Sequence, residues 1–395
     1  MKVVVVGYGG RGDVEPGAAV GRELRRRRHD VLLAVPPNMV GFVESTGLTA
    51  VPYGPDSREQ LNPAMDLVRD VATRGINPMS LLSNVIEHVT EVNRDKTATL
   101  TALTDGADVV LASYNEQHLA ANVAEYHGIS AAALHFFPAR IWAPGGMAAA
   151  ITTAVDGNQR SALGLPEFDQ PQPILEMQTY DQLCLPGQAA EWVDPAERRP
   201  FVGTLTLELP TDADQEVLRW IAAGAPPVYF GFGSTPLSSV ADTIAKVGAA
   251  CAELGERALI CLGANKFGDV PDTGHIKVVD AVNHAAVLPA CRAVVHHGGA
   301  GTTAAGMRAG IPTLILWLWL DQPIWAAGVE QLGVGTGQPF SATTHASLVA
   351  GLRSILAARC TARARELAAQ LTPPAKSAAL AADLLEQAAG AGRVG

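Results

Sequence analysis

The sequence predicts an α/β protein built from two doubly wound, mostly parallel sheets in tandem. Three observations carry that prediction. The chain has 395 residues, more than one core usually fills and a comfortable length for two. Short β-branched runs alternate with longer helical stretches, in two series separated by a break. The strand runs are apolar throughout, the pattern of strands covered by helices on both faces.

In the first series Val3–Val6 reads as a strand and Val14–Arg28 as a helix, with Pro16 tolerated in its first turn. The basic run Arg25 to Arg28 reads as a solvated helix end, where cations suit the dipole. Val31–Val35 is a second strand, and Pro36-Pro37-Asn38 ends it and begins a helix. Asp108–Ala112 and Ala131–Leu134 are further strands. Between Ala143 and Pro210 periodicity is weak, and Pro195 to Pro210 has the composition of a linker. The second series opens at Val228-Tyr229-Phe230 and continues through Ala258–Leu262, Ile276–Val279, Ala293–Val295 and Thr313–Leu318. Ala357 to Ala391 reads as helical. The expected organisation is an N-terminal domain at 1–205, a linker at 206–214 and a C-terminal domain at 215–375. A final helix at 376–395 is expected to return to the first domain. Ligands of such sheets bind beyond the carboxyl ends of the strands, so the expected site is the cleft between the domains.

Hydrophobic residues make up 48% of the chain and charged ones 17%, a globular composition. The net charge of -10 argues against non-specific nucleic-acid binding. Five dispersed cysteines without paired spacing read as small buried hydrophobes in a reducing compartment. The run Val3–Val6 is too short for a signal peptide and Leu314–Leu320 too short to span a bilayer. The expectation is a cytoplasmic protein with no transmembrane segment, making at most peripheral membrane contact.

The informative residues fall on loops that follow strands. Gly7-Tyr8-Gly9-Gly10-Arg11-Gly12-Asp13 lies between a strand and a helix and formally contains the dinucleotide pattern GxGxxG. The second strand ends in Pro-Pro-Asn where a ribose-binding acid would stand, which contradicts the NAD(P) reading. Asp13 suits either a helix N-cap or a general base. Arg11 could pair with Asp13 or hold a phosphate.

The sharper signal is His296-His297-Gly298-Gly299-Ala300-Gly301-Thr302-Thr303, between a buried strand and a helix. Glycines let backbone close around a phosphate, and helix N–H groups favour its charge. Thr302 and Thr303 can add hydroxyls and His296 a ring N–H. Without a Walker lysine, ATP hydrolysis is not expected. Asp321-Gln322 suits sugar hydroxyls, or else an N-cap followed by Pro323. Trp317, Trp319 and Trp325 read as core or wall. Gly231-Phe232-Gly233-Ser234 is either a diphosphate-admitting turn, with Ser234 as donor, or an ordinary one. Backbone near Val282, in Asp280-Ala281-Val282-Asn283-His284, could meet a base. Asp212-Ala213-Asp214 fits a metal-binding DxD but is better explained as helix-start acids.

Together these stretches resemble the GT-B family 1 glycosyltransferases, especially the glycopeptide-antibiotic and mycobacterial glycopeptidolipid enzymes, with sterol glucosyltransferases more distant. The resemblance implies two Rossmann-like domains facing across a cleft, and inverting, metal-independent transfer with no cofactor. The co-substrate would be a UDP- or dTDP-sugar. The acceptor would be a hydroxylated natural product, peptidic or lipidic; a sterol or lipid acceptor is the alternative. It implies Asp13 as the base that deprotonates the acceptor. Arg11, Gly12, Ser234, His296, Gly298, Gly299, Gly301 and Thr302 would surround the diphosphate. Asp321 and Gln322 would hold the sugar, and Val282 would meet the base. Gly10 departs from the family, where Ser or Thr is usual. An NAD(P)-dependent oxidoreductase and a sugar-nucleotide-binding protein without turnover are lower alternatives. Phe136-Phe137 and Ile141-Trp142 hint at a bulky aglycone, although ordinary core explains most such residues.

Overall fold

The structure, a computed structural model, describes residues 1–59, 78–139, 147–167, 174–186, 198–233, 239–265, 274–318 and 321–391. The chain divides into two compact units. The first comprises Met1–Thr179, Val193–Leu207 and Pro373–Gly395, the second Tyr180–Trp192 and Glu208–Thr372.

The first unit runs β1 (Lys2–Val6), α1 (Arg11–Arg26), β2 (Asp30–Val35), α2 (Val40–Ser45), β3 (Thr49–Pro52), α3 (Pro78–Thr104), β4 (Val109–Ser113), α4 (Gln117–His127), β5 (Ser130–His135), α5 (Met147–Leu163) and β6 (Leu175–Gln178). Its sheet is parallel in the order β3-β2-β1-β4-β5-β6. The second unit runs α6 (Asp214–Ala222), β7 (Val228–Gly231), α7 (Val240–Leu254), β8 (Ala258–Cys261), β9 (Ile276–Val279), α8 (His284–Val287), β10 (Ala293–His296), α9 (Ala300–Arg308), β11 (Thr313–Trp317), α10 (Gln322–Gln331), β12 (Gly335–Pro339), α11 (His345–Ile355) and α12 (Ala358–Ala368). Its sheet is parallel in the order β12-β11-β10-β7-β8-β9. The last helix, α13 (Pro374–Ala391), belongs to the first unit.

Each unit therefore repeats one topology, a sheet that starts at its centre, winds to one edge, then returns and winds to the other. The unbroken apolar runs follow from it. Val3 and Val5 enter one core with Leu24, Leu33 and Leu385, while Val4 and Val6 enter the opposite one with Tyr53 and Leu100. In the second unit Val228 and Phe230 face one core and Tyr229 the other. Alternate side chains meet helices on both sheet faces, so each position must be apolar.

Several elements differ from the sequence reading. α1 begins at Arg11, so Pro16 lies inside the helix and cannot donate to the Gly12 carbonyl. The weakly periodic stretch holds α5 and the edge strand β6. Part of the expected linker is structural: Val202 donates to the Gln178 carbonyl at 2.9 Å, and Val202 and Leu205 are buried in the first core. The basic run is also more than a solvated end. Arg27 binds Asp383 at 2.6 Å and Glu386 at 3.0 Å, holding α13. The last helical stretch is two helices, parted where Pro373-Pro374 prevents continuation. All five cysteines are free and buried. Among the described residues no helix is long and apolar enough to cross a membrane.

Candidate functional site

Two constellations form, one in each unit, each at the point where its sheet reverses winding. There two loops leave adjacent strands in opposite directions and open a crevice.

In the first unit the reversal lies between β1 and β4. Gly9, at φ +137°, turns the chain after β1, and a Cβ there would strike the Asp13 carboxylate. The N-cap of α1 is Gly10, not Asp13. Asp13 sits one turn in and reaches back, accepting the Gly10 N–H on Oδ2 at 2.8 Å. Its Oδ1 accepts Asn115 Nδ2 at 3.1 Å. Asn115, just beyond β4, was missed by the sequence reading; the loop after the strand across the reversal was the signal. Arg11 does not pair with Asp13. Its Nε binds Glu15 Oε2 at 2.6 Å, and Glu15 Oε1 accepts the Leu207 N–H. The Arg11 side chain stays 55% exposed, as a phosphate contact needs, and Gly12 is exposed beside it. A Cβ on Gly10 would meet nothing, so a hydroxyl residue would fit where the family has one.

In the second unit the reversal lies between β7 and β10. The loops after these strands meet around His297, whose ring leaves no room for a Cβ on Gly233 or Gly299. Gly299 caps α9 and has no side chain to offer, so the N–H groups of Ala300, Gly301 and Thr302 start the helix without a side-chain cap. Thr302 is half-buried and Gly301 exposed, whereas Thr303 is fully buried and its hydroxyl returns to the Gly299 carbonyl at 2.9 Å. Of the two threonines only Thr302 remains a candidate donor.

His296 is 1% exposed. Burial, then the neighbouring His297 and His284, push its pKa well below the ordinary value, so it is neutral. Its Nδ1 accepts the Gly298 N–H at 2.9 Å, which leaves the proton on Nε2. That N–H is buried and has no hydrogen-bond partner among the described residues. A neutral ring offers an N–H donor but no charge.

Asp321 and Gln322 are brought to the same turn. Gly298, at φ +96°, packs so closely on Gln322 and Ile315 that a Cβ would lie 2.9 and 2.8 Å from them. Gln322 is buried, and its Oε1 accepts the Leu318 N–H at 2.8 Å. Asp321 stands at the N-cap of α10 but its side chain does not cap the helix. It accepts Trp325 Nε1 at 2.9 Å, and burial raises its pKa to about 6 against those hydrogen bonds. Trp325 is core, as read, and also the donor that orients this carboxylate.

The side chain of Val282 is buried in core, so only backbone there is available to a ligand. The loop carrying it is tied down by Asp214, which accepts the Asn283 N–H at 2.8 Å and the Thr211 hydroxyl at 2.7 Å. Asp214 thus acts as a helix-start acid. Among the described residues no group of three or more His, Cys, Asp or Glu could hold a metal ion. Ser234, Trp319, Ile141 and Trp142 lie outside the described residues; Phe137 is buried against Tyr114 and Phe136.

Residues 245–386 match the family model described as the erythromycin biosynthesis protein CIII-like C-terminal domain. An uncharacterised glycosyltransferase of Mycobacterium tuberculosis is 54% identical over 98% of this chain and 99% of its own length. The chain belongs to the GT-B family 1 glycosyltransferases. This glycosyltransferase is also 27% identical to the vancomycin aglycone glucosyltransferase of Amycolatopsis orientalis, over 98% of this chain and 97% of that one. The crystal structure of the glycosyltransferase VinC in complex with dTDP matches it with a TM-score of 0.63 at 21% identity, across 100% of both chains. The glycosyltransferase therefore has the two-domain α/β GT-B fold that its motifs implied.

Proposed function

We propose that this glycosyltransferase moves a hexose or deoxyhexose from a UDP- or dTDP-sugar to a hydroxyl of a natural-product acceptor such as a glycopeptide or glycopeptidolipid. The transfer inverts the anomeric carbon and uses no metal. The observation that carries the reading is the turn at the start of α9. A helix N-terminus without a side-chain cap, a His296 Nε2–H that is buried and without a partner among the described residues, and a carboxylate at Asp321 sit on one set of loops. Helix N–H groups and His296 would stabilise the departing diphosphate. Asp321 and Gln322 would hold the sugar, Ser234 and Thr302 would give hydroxyl bonds, and Arg11 would supply positive charge. A carboxylate is a weak base towards an alcohol, so Asp13 would take the proton late, as the acceptor oxygen bonds to carbon. The pyrimidine donor is supported by the dTDP bound to VinC, and the acceptor class by the vancomycin relative.

The test is a thermal-shift screen with UDP, dTDP, GDP, ADP and NAD, with EDTA present throughout. A ligand at about 100 times its dissociation constant stabilises by roughly 2.7 kcal/mol, enough for a visible shift. A shift with UDP or dTDP is expected. A shift with NAD and none with either pyrimidine diphosphate would overturn the donor assignment.

A further inference from the structure

Beneath the glycine loop of the first unit lies a buried charged network that the mechanism above does not use. Lys96, on α3, and Glu116, just beyond β4, are each 4% exposed. Lys96 Nζ binds Glu116 Oε1 at 2.8 Å. Tyr53, fully buried, donates its hydroxyl to Glu116 Oε2 at 2.6 Å. Lys96 Nζ also lies 3.3 Å from the centre of the Tyr8 ring, and the Tyr8 hydroxyl donates to the Pro55 carbonyl at 3.0 Å. Gly54, at φ +65°, makes room: a Cβ there would stand 2.9 Å from Lys96 Cε.

The sequence neighbours of this network give it meaning. Glu116 follows Asn115, whose amide holds Asp13 Oδ1. Tyr8 precedes Gly9 and Gly10, whose backbone wraps Asp13 and holds Oδ2. One ammonium group therefore anchors both loops that fix the two carboxylate oxygens. A buried ion pair is a poor way to gain stability, because desolvation offsets the attraction and a packed apolar pair often does as well. It is a good way to fix direction, since charge, hydrogen bond and ring face must all be met at once.

We infer that Lys96 and Glu116 are positioning residues for Asp13, holding the loops after β1 and β4 so that its carboxylate keeps one orientation. The inference rests on Asp13 being the base. Misplacing a reacting group by about 1 Å can cost roughly a hundredfold in rate. Loosening the Asn115 N–H bond also removes a donor that favours the charged carboxylate. The acid limb of the pH profile should then move to higher pH.

The experiment compares Asp13→Asn, Asn115→Ala and the paired apolar replacement Lys96→Met with Glu116→Leu, in the full chain. The donor is the UDP- or dTDP-sugar selected by the thermal-shift screen. The assay is donor turnover, by transfer or by slow hydrolysis. The paired variant should keep its Tm within a few degrees and its donor KM. Its kcat should fall roughly ten- to a hundredfold, with an acid limb shifted upward. Asn115→Ala should shift the limb likewise, and adding the paired replacement to it should cost less than the same replacement in the wild type, because only the arm through Tyr8 and Gly10 is left to loosen. Should the paired variant not fold, Tyr53→Phe, which removes only the hydroxyl on Glu116, should give a smaller shift of the same sign. If Asp13→Asn loses turnover while the paired variant, or Tyr53→Phe in its place, matches the wild type in kcat and pH profile, positioning by this network is wrong. Additive losses in the combined variant would also overturn it. Full turnover by Asp13→Asn would instead remove the base, and the inference with it.

Discussion

Asp321 shows what desolvation does to a single carboxyl group at the start of α10. Burial raises its pKa from 3.8 to about 6, although Trp325 Nε1 donates to it. The sign follows directly. Between about pH 4 and pH 6 the native chain holds a proton that the unfolded chain has already released. Stability therefore falls as pH rises through that window, and the loss is complete above it. Asp321→Asn keeps an acceptor for Trp325 and has no charge to desolvate. Its Tm relative to wild type should climb from pH 4 to pH 6 and then stay level, while its KM for the sugar nucleotide rises. A Tm difference that stays constant from pH 4 to pH 8 would exclude the half-buried carboxylate as the cause. His296 teaches a related lesson. The sequence supplied a histidine able to donate, but burial made it neutral and the Gly298 N–H fixed which nitrogen carries the proton.

At the scale of elements, the turn from β10 into α9 depends on glycine where geometry leaves no alternative. Gly298 has φ +96° and lies against Ile315 and Gln322. Gly298→Ala adds a strained backbone, costing roughly 1–3 kcal/mol, and pushes on Gln322. Chemical denaturation should show that loss, and donor KM should rise more than kcat falls. Unchanged stability and KM would mean that the turn relaxes freely. The same scale explains which elements were legible in the sequence. β1, β7 and β10 stand out because both faces need apolar side chains. Edge strand β6, with Glu176 and Gln178 among its four residues, carries no such pattern. The segment after it looked like a linker because Pro195, Pro200, Gly203 and Pro210 punctuate it and no helical or strand period runs through it. Yet Val202 and Leu205 are held in the core by contacts with residues far away in sequence.

For the whole molecule, α13 is the last helix in sequence but a structural part of the first unit. Ala381, Ala382 and Leu385 are fully buried in the core built on β1 and α1. Arg27 and His29 bind its acidic face through Asp383 and Glu386. Leu385→Ala should destabilise by about 2–5 kcal/mol, read by urea denaturation of the full chain. If the two units unfold separately, the transition carrying the first unit should move and the other should not. A shift confined to the other transition would contradict the placement of α13. The motifs fixed much in advance. Hydrophobic runs determined two parallel sheets, because a strand buried on both faces can be read residue by residue. The glycine stretches determined where backbone must turn tightly or pack closely on a neighbouring residue. Tertiary structure alone decided that Asn115 meets Asp13, that His296 is neutral and that Gln322 backs Gly298. Each depends on loops from different strands meeting, and on how completely that meeting excludes water, neither of which is written in local spacing.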